Sequence, residues 1–87
     1  MNLENAIRSL RLYQYNRVPT GGFLLACLEN NLREAFARAD SESIAILVNI
    51  VSWLHWEMPG DMWGSRERVK AHLAKGIIHT HPEVVNP

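Results

Sequence analysis

Asp40-Ser41-Glu42-Ser43-Ile44-Ala45-Ile46-Leu47-Val48-Asn49-Ile50-Val51-Ser52-Trp53-Leu54-His55-Trp56-Glu57 is the stretch whose reading decides the fold. Asp40-Ser41 is a helix-start signal, because a short oxygen-bearing side chain there can take the hydrogen bonds of the first free amides. Pro59-Gly60 stops the pattern, since proline cannot continue the helical ladder. Between these signals Ile44, Leu47, Val48, Val51, Leu54 and Met58 fall on one helical stripe, and Ile46, Ile50 and Trp53 on another. A helix that is apolar on two sides is the buried centre of a bundle, or buries its second side against another subunit. Asn49, Ser52 and His55 interrupt the apolar run, which is too short and too polar to span a membrane.

Outward from this helix the same period continues. Residues 3–13 read as a first helix with Leu3, Ile7 and Leu10 on its dry side, Glu4, Arg8 and Arg11 on its wet side, and Asn2 as a cap. Residues 15–19 form a connection, because Pro19 pushes Val18 out of helical geometry. Thr20 is read as the N-cap of a second helix whose apolar face is Phe23, Leu24, Cys27 and Leu28. Asn30-Asn31 breaks or kinks it. Asn31 with Glu34 makes a capping box, and Leu32, Ala35 and Phe36 carry the face on to Ala39. Residues 61–64 are a loop, Ser65 caps a last helix with Val69, His72 and Leu73 inward, and Gly76 ends it. No strand pattern, repeat or linker is visible. The expected fold is all-α, a small bundle of four to five helices forming a single domain over residues 1–87. Residues 77–87 are read as a tail whose Ile77-Ile78 can pack back or reach a partner.

With 87 residues the chain can bury only one modest core, and a homo-oligomer is a common remedy. The composition is globular, 47% hydrophobic and 21% charged. Nine basic residues balance nine acidic ones, which argues against a general nucleic-acid binder. The lone cysteine, Cys27, excludes a disulfide framework within the chain. With no signal peptide in view, the expected location is the cytoplasm and no membrane partner is expected.

Two stretches place small residues at the mouth of an expected helix, where free amides point outward. At Thr20-Gly21-Gly22 the glycines let a phosphate or carboxylate approach the backbone, with Arg17 upstream and Arg38 as a further cation. The plainer reading is a turn and cap that lets two helices pack closely. It is not a P-loop, since no strand precedes it and no Gly-Lys-Ser/Thr follows. Trp63-Gly64-Ser65 can be a recognition loop, its indole stacking on a partner or a base; the plainer reading is a plug for the bundle end. The candidate ligand-binding set is therefore Arg17, Thr20, Gly21, Gly22, Arg38 and Trp63. The candidate subunit interface is Ile46, Ile50, Trp53 and Trp56, with Trp53 better suited to the core and Trp56 to an interface.

His79-Thr80-His81 lacks the further ligands a metal site needs, so neither a metal nor another cofactor is expected. Cys27 lies on an apolar helix face without a histidine partner and is read as structural. Asn30, Asn31, Arg38 and Asp40 bunch around helix ends, where capping and a local Arg38–Asp40 contact account for them. No catalytic residue can be named, and an enzyme is the reading with least support.

The order Pro-Thr-Gly-Gly-Phe-Leu at residues 19–24, Leu-Glu-Asn-Asn-Leu-Arg-Glu-Ala-Phe-Ala-Arg-Ala-Asp at 28–40, an apolar helix over 44–58 before Pro59, and Trp-Gly-Ser at 63–65 resembles a group of short phage and prophage accessory proteins. The match covers about two thirds of the chain and leaves out the first 17 residues and those after Lys75. The resemblance implies a phage accessory product acting in the host cytoplasm, of a kind that blocks or redirects host machinery; it brings no activity to transfer. Two functions compete. One is a homo-oligomeric interaction module that binds a host or defence protein through an apolar, aromatic surface. The other is a sponge for an anionic small molecule such as a signalling nucleotide. A sponge requires a deep polar pocket where amides and arginines converge; an interaction module requires an open apolar patch.

Overall fold

A computed structural model of the protein describes residues 1–78, and among them every regular element is helical. The order is α1 (Leu3–Asn16), α2 (Gly22–Leu28), α3 (Leu32–Arg38), α4 (Ser41–Ala45), α5 (Leu47–Glu57) and α6 (Arg66–Ala74). The all-α expectation holds, but the described residues contain six helices rather than four to five, because two of the expected helices are each divided.

The first division is at Asn30-Asn31. Asn30 takes the left-handed conformation at φ 59°, which asparagine tolerates better than most residues. Its N–H then bonds the carbonyl of Cys27, and that of Asn31 the carbonyl of Ala26, closing α2 with a Schellman pair. Asn31 also opens the next helix, its side chain accepting from the Glu34 N–H at 3.1 Å. The Asn-Asn pair is thus a break, one residue ending a helix and the next starting another. The second division, at Ile46, has no glycine or proline to announce it. Ile46 sits at φ −105°, ψ 4°, with its N–H on the Ser43 carbonyl at 3.2 Å, a tightened turn between α4 and α5.

Most caps follow the sequence reading. Asn2, Asp40 and Ser65 accept from the N–H groups of Asn5, Ser43 and Arg68. Thr20 does not: the cap of α2 is Gly21, without a side-chain bond, and the Thr20 hydroxyl donates to the Gly21 carbonyl at 3.2 Å. The helix starts one residue later than the Thr20 cap required.

The core is built from one face of each longer helix: Ala6, Leu10 and Tyr13 on α1, Leu24 and Leu28 on α2, Ile50 and Leu54 on α5, and Val69 on α6. α1 packs on α5, and α2 folds back on α3. The loop over residues 58–65 seals one end. The Tyr13 hydroxyl donates to the Met62 carbonyl at 2.6 Å, the Trp63 indole N–H to Met58 at 3.2 Å, and the Gly64 N–H to Leu28 at 2.6 Å. Gly64 lies at φ 105°, where a side chain would be strained, so glycine is required for that last contact.

Residues after α6 turn back onto α1. Gly76, at φ 88°, ends the helix as its sequence position suggested, and the Arg17 guanidinium donates to the carbonyls of Lys75 and Gly76. The Ile78 N–H bonds the Asn16 carbonyl at 2.8 Å, and the Asn16 side chain returns a bond to the Ile78 carbonyl. The first part of the expected tail is therefore pinned to α1. Among the described residues no helix is long and apolar enough to cross a membrane.

Candidate interaction surface

The relief of the molecule is set by how α5 rolls in its seat. Ile50, Leu54 and then Met58 point into the core, with Ile46, Leu47 and Trp53 half-buried beside them. The opposite arc carries Val48, Val51, Ser52, His55 and Trp56 to the outside. Ile50, from the stripe expected to be spare, is thus inward beside Leu54 and Met58 of the other stripe, whose Val48 and Val51 are out. The tightened turn at Ile46 divides the expected stripe: Ile44, on α4, is 41% exposed and Val48 on α5 79%.

An open groove of about 570 Å³ is lined by Leu32 at the start of α3, by Leu47, Val48, Val51 and Trp56 on α5, and by Trp63. Leu32 is 69% exposed and Trp56 76%. A second groove, of about 310 Å³, runs along the other flank of Trp56 between α1 and α5, lined by Leu3, Ile7 and Trp53 among others. Trp56 and Ser52 line both. The Trp56 ring meets the His55 imidazole edge to face at 4.7 Å between centroids, a favourable geometry for two aromatic rings. Beyond Trp63 the surface turns polar, in a cavity of about 380 Å³ that includes Asn30, His55 and Arg68.

The six candidate ligand residues do not converge. Gly22 and Arg38 do meet: a Cβ on Gly22 would lie 2.8 Å from an Arg38 guanidinium nitrogen. That guanidinium is already paired with Glu34 at 2.7 Å, one turn away on the same helix. The expected Arg38–Asp40 contact gives way to this pair, and Asp40 faces Ser43 and the chain's amino terminus instead. Arg17 is engaged with the end of α6. Trp63 belongs to the loop bonded to Leu28, at the opposite end of α2 from Thr20, Gly21 and Gly22. None of the three grooves is lined by Arg17, Thr20, Gly21, Gly22 or Arg38. Nothing lies within 4 Å of where a Gly21 side chain would begin, so close packing does not require glycine there.

Of the candidate interface residues, Ile50 is fully buried within the chain and has no surface to offer a partner. Ile46 and Trp53 are half-buried, and Trp56 is the member left outside. Leu32, Val48 and Val51 join it, residues that the helical period alone assigned to the core. The distinguishing signal lay in charge rather than period: residues 43–56, 14 in a row, hold no Asp, Glu, Lys or Arg, the longest such run in the chain.

Most buried polar groups have structural partners; the Asn16 Oδ1 is buried without one. The Tyr13 phenol is pushed up to about 12, by burial and then by the charge of Glu29. Burial likewise raises the Cys27 thiol to about 11, which leaves it protonated and unreactive at neutral pH. His72, buried against the Tyr13 ring, places Nε2 at 2.7 Å from the Tyr13 carbonyl; a carbonyl only accepts, so Nε2 carries the hydrogen. Among the described residues no three His, Cys, Asp or Glu side chains gather as a metal site would need, and His79-Thr80-His81 lies outside those residues. No protein-family model, curated protein or solved structure matches the chain.

Proposed function

We propose that the protein is a non-enzymatic interaction module that works by binding another protein through the outer face of α5. The observation that carries this reading is the apolar groove beside Trp56, with Leu32, Val48 and Trp56 each more than two-thirds exposed. Large exposed aromatic and aliphatic side chains gathered at one place are the usual mark of a protein contact, and tryptophan is favoured at the energetic centre of such contacts. The phage-protein resemblance supplies the context: a host or defence factor as target, met in the host cytoplasm. The alternative, a sponge for an anionic metabolite, draws no support from this geometry. Its arginines are spent on Glu34 and on the end of α6, and α2 is only 7 residues long.

The test is affinity capture from a bacterial lysate, comparing the wild type with Trp56→Glu and Arg38→Ala and identifying both proteins and small molecules. The reading requires a protein that is retained by the wild type and Arg38→Ala and lost with Trp56→Glu. A phosphorylated metabolite released from the wild type and absent from Arg38→Ala would instead establish the sponge.

A further inference from the structure

We propose that a second copy of this chain docks on the outer face of α5, in a two-fold pair where Trp56 of each copy seats in the groove of the other. This rests on the reading of that face as a protein contact and adds that a second copy covers it when the target is absent, so that pair and target compete for Trp56. Three observations favour a second copy.

The first is shape. An isologous contact needs one surface to carry both the projection and the recess that receives it. Trp56 is 76% exposed and also lines the groove of about 570 Å³, together with Leu32, Val48 and Val51. Trp56 and the groove share one surface, so in an isologous pair each Trp56 faces the groove of the other copy.

The second is charge. A two-fold axis sets each residue near its own duplicate, so any net charge on the face meets the same charge. The 14 uncharged residues from 43 to 56 keep the outer arc of α5 free of that repulsion. A face meant for a charged partner would carry complementary side chains there; Val48, Val51, Ser52, His55 and Trp56 supply only apolar surface and small neutral hydrogen-bonding groups.

The third is area. At their exposures Leu32, Val48, Val51 and Trp56 present on the order of 500 Å² of apolar surface per copy, the upper range for a patch on a monomer. Symmetry counts every side chain twice, so two copies together reach about 1,000 Å², the size a specific interface must clear. A rigid partner with a smaller apolar patch would leave part of this surface wet.

The experiment is sedimentation equilibrium on the full chain across micromolar concentrations, for the wild type, Trp56→Glu and Val48→Asp, with far-ultraviolet circular dichroism as the check on folding. Both substituted positions are well exposed, so the helical signal is expected to persist. The wild type should fit a monomer–dimer equilibrium, with the dissociation constant raised on the order of 100-fold or more by either change. A wild type that is monomeric at every concentration overturns the proposal, as does a dimer that persists in both variants or a closed assembly larger than two. Should Trp56→Glu disturb the helical signal, Val48→Asp decides alone. A monomer that still captures a protein through Trp56 refutes the dimer and leaves the interaction reading standing. A Trp56-dependent dimer that captures nothing refutes the host-factor reading and leaves the dimer standing.

Discussion

Single residues show how burial turns ordinary chemistry into stability. Cys27 and Tyr13 both lie in the core, and burial holds the thiol near 11 and the phenol near 12, against ordinary values of 9.0 and 10.0. The neutral form is the one the folded state favours. Below pH 9 both groups are protonated in the folded and unfolded chain alike, and they leave stability unchanged. Above pH 9 the unfolded chain releases the Cys27 proton first, so stability falls until the folded thiol also ionises near 11; Tyr13 continues the fall between about 10 and 12. Urea unfolding measured in steps from pH 8 to pH 11 should show this decline starting near pH 9. In Cys27→Ala the earlier part of the decline should vanish, while stability at pH 7 drops by about 1 kcal/mol from the small volume lost. A Cys27→Ala protein that declines along the same curve would show that the thiol is not the titrating group. The sequence had placed Cys27 correctly because its neighbours at helical spacing, Phe23, Leu24 and Leu28, are all apolar. It could not place Arg38, whose guanidinium chose Glu34 on its own helix over Asp40 beyond the helix end.

At the level of elements, the legible features were those with a local chemical cause. Asn31, Asp40 and Ser65 cap the helices that follow them because their oxygens reach an amide three residues on, and such a bond depends on nothing distant. Thr20 was misread for a local reason too: Gly21 and Gly22 both tolerate the cap geometry, and the chain entered the helix one residue later. The two readings separate in the stability of point variants. Ser65→Ala should cost about 1 kcal/mol in chemical denaturation, whereas Thr20→Ala, whose hydroxyl touches only the neighbouring carbonyl, should stay within about 0.5 kcal/mol. Equal losses at the two positions would restore Thr20 as a cap. What the sequence left illegible was the break at Ile46 and the roll of α5 that follows from it. Period assigns residues to stripes, but which residues turn inward depends on α1, against which the helix seats, and those contacts are long-range. The outward position of Val48 and Val51 therefore came from packing, and the pointer that survived in the sequence was the absence of charge around them.

For the whole molecule the balance is between a small core and a large uncovered apolar face. Among the described residues twelve apolar ones are buried, three of them alanine, while Leu32, Phe36, Val48 and Trp56 are each more than 60% exposed. A chain of this size has little stability in reserve, so covering that face with a second copy changes the stability that is measured. If folding and pairing are coupled in this way, the thermal midpoint must depend on protein concentration, because unfolding then also separates two chains. A tenfold rise in concentration is worth about 1.4 kcal/mol per dimer, or ~0.7 kcal/mol per chain. For a domain of this length that raises the midpoint by about 3–6 °C for each tenfold increase. Trp56→Glu should remove the dependence altogether, and because Trp56 is 76% exposed in the single chain it should leave the dilute-limit midpoint within a few degrees of the wild type. Calorimetric scans of both proteins over two decades of concentration make the comparison. Parallel slopes for wild type and variant would place the pairing surface away from α5, and flat lines for both would mean that the chain folds and stands alone, with its apolar face kept for a different partner.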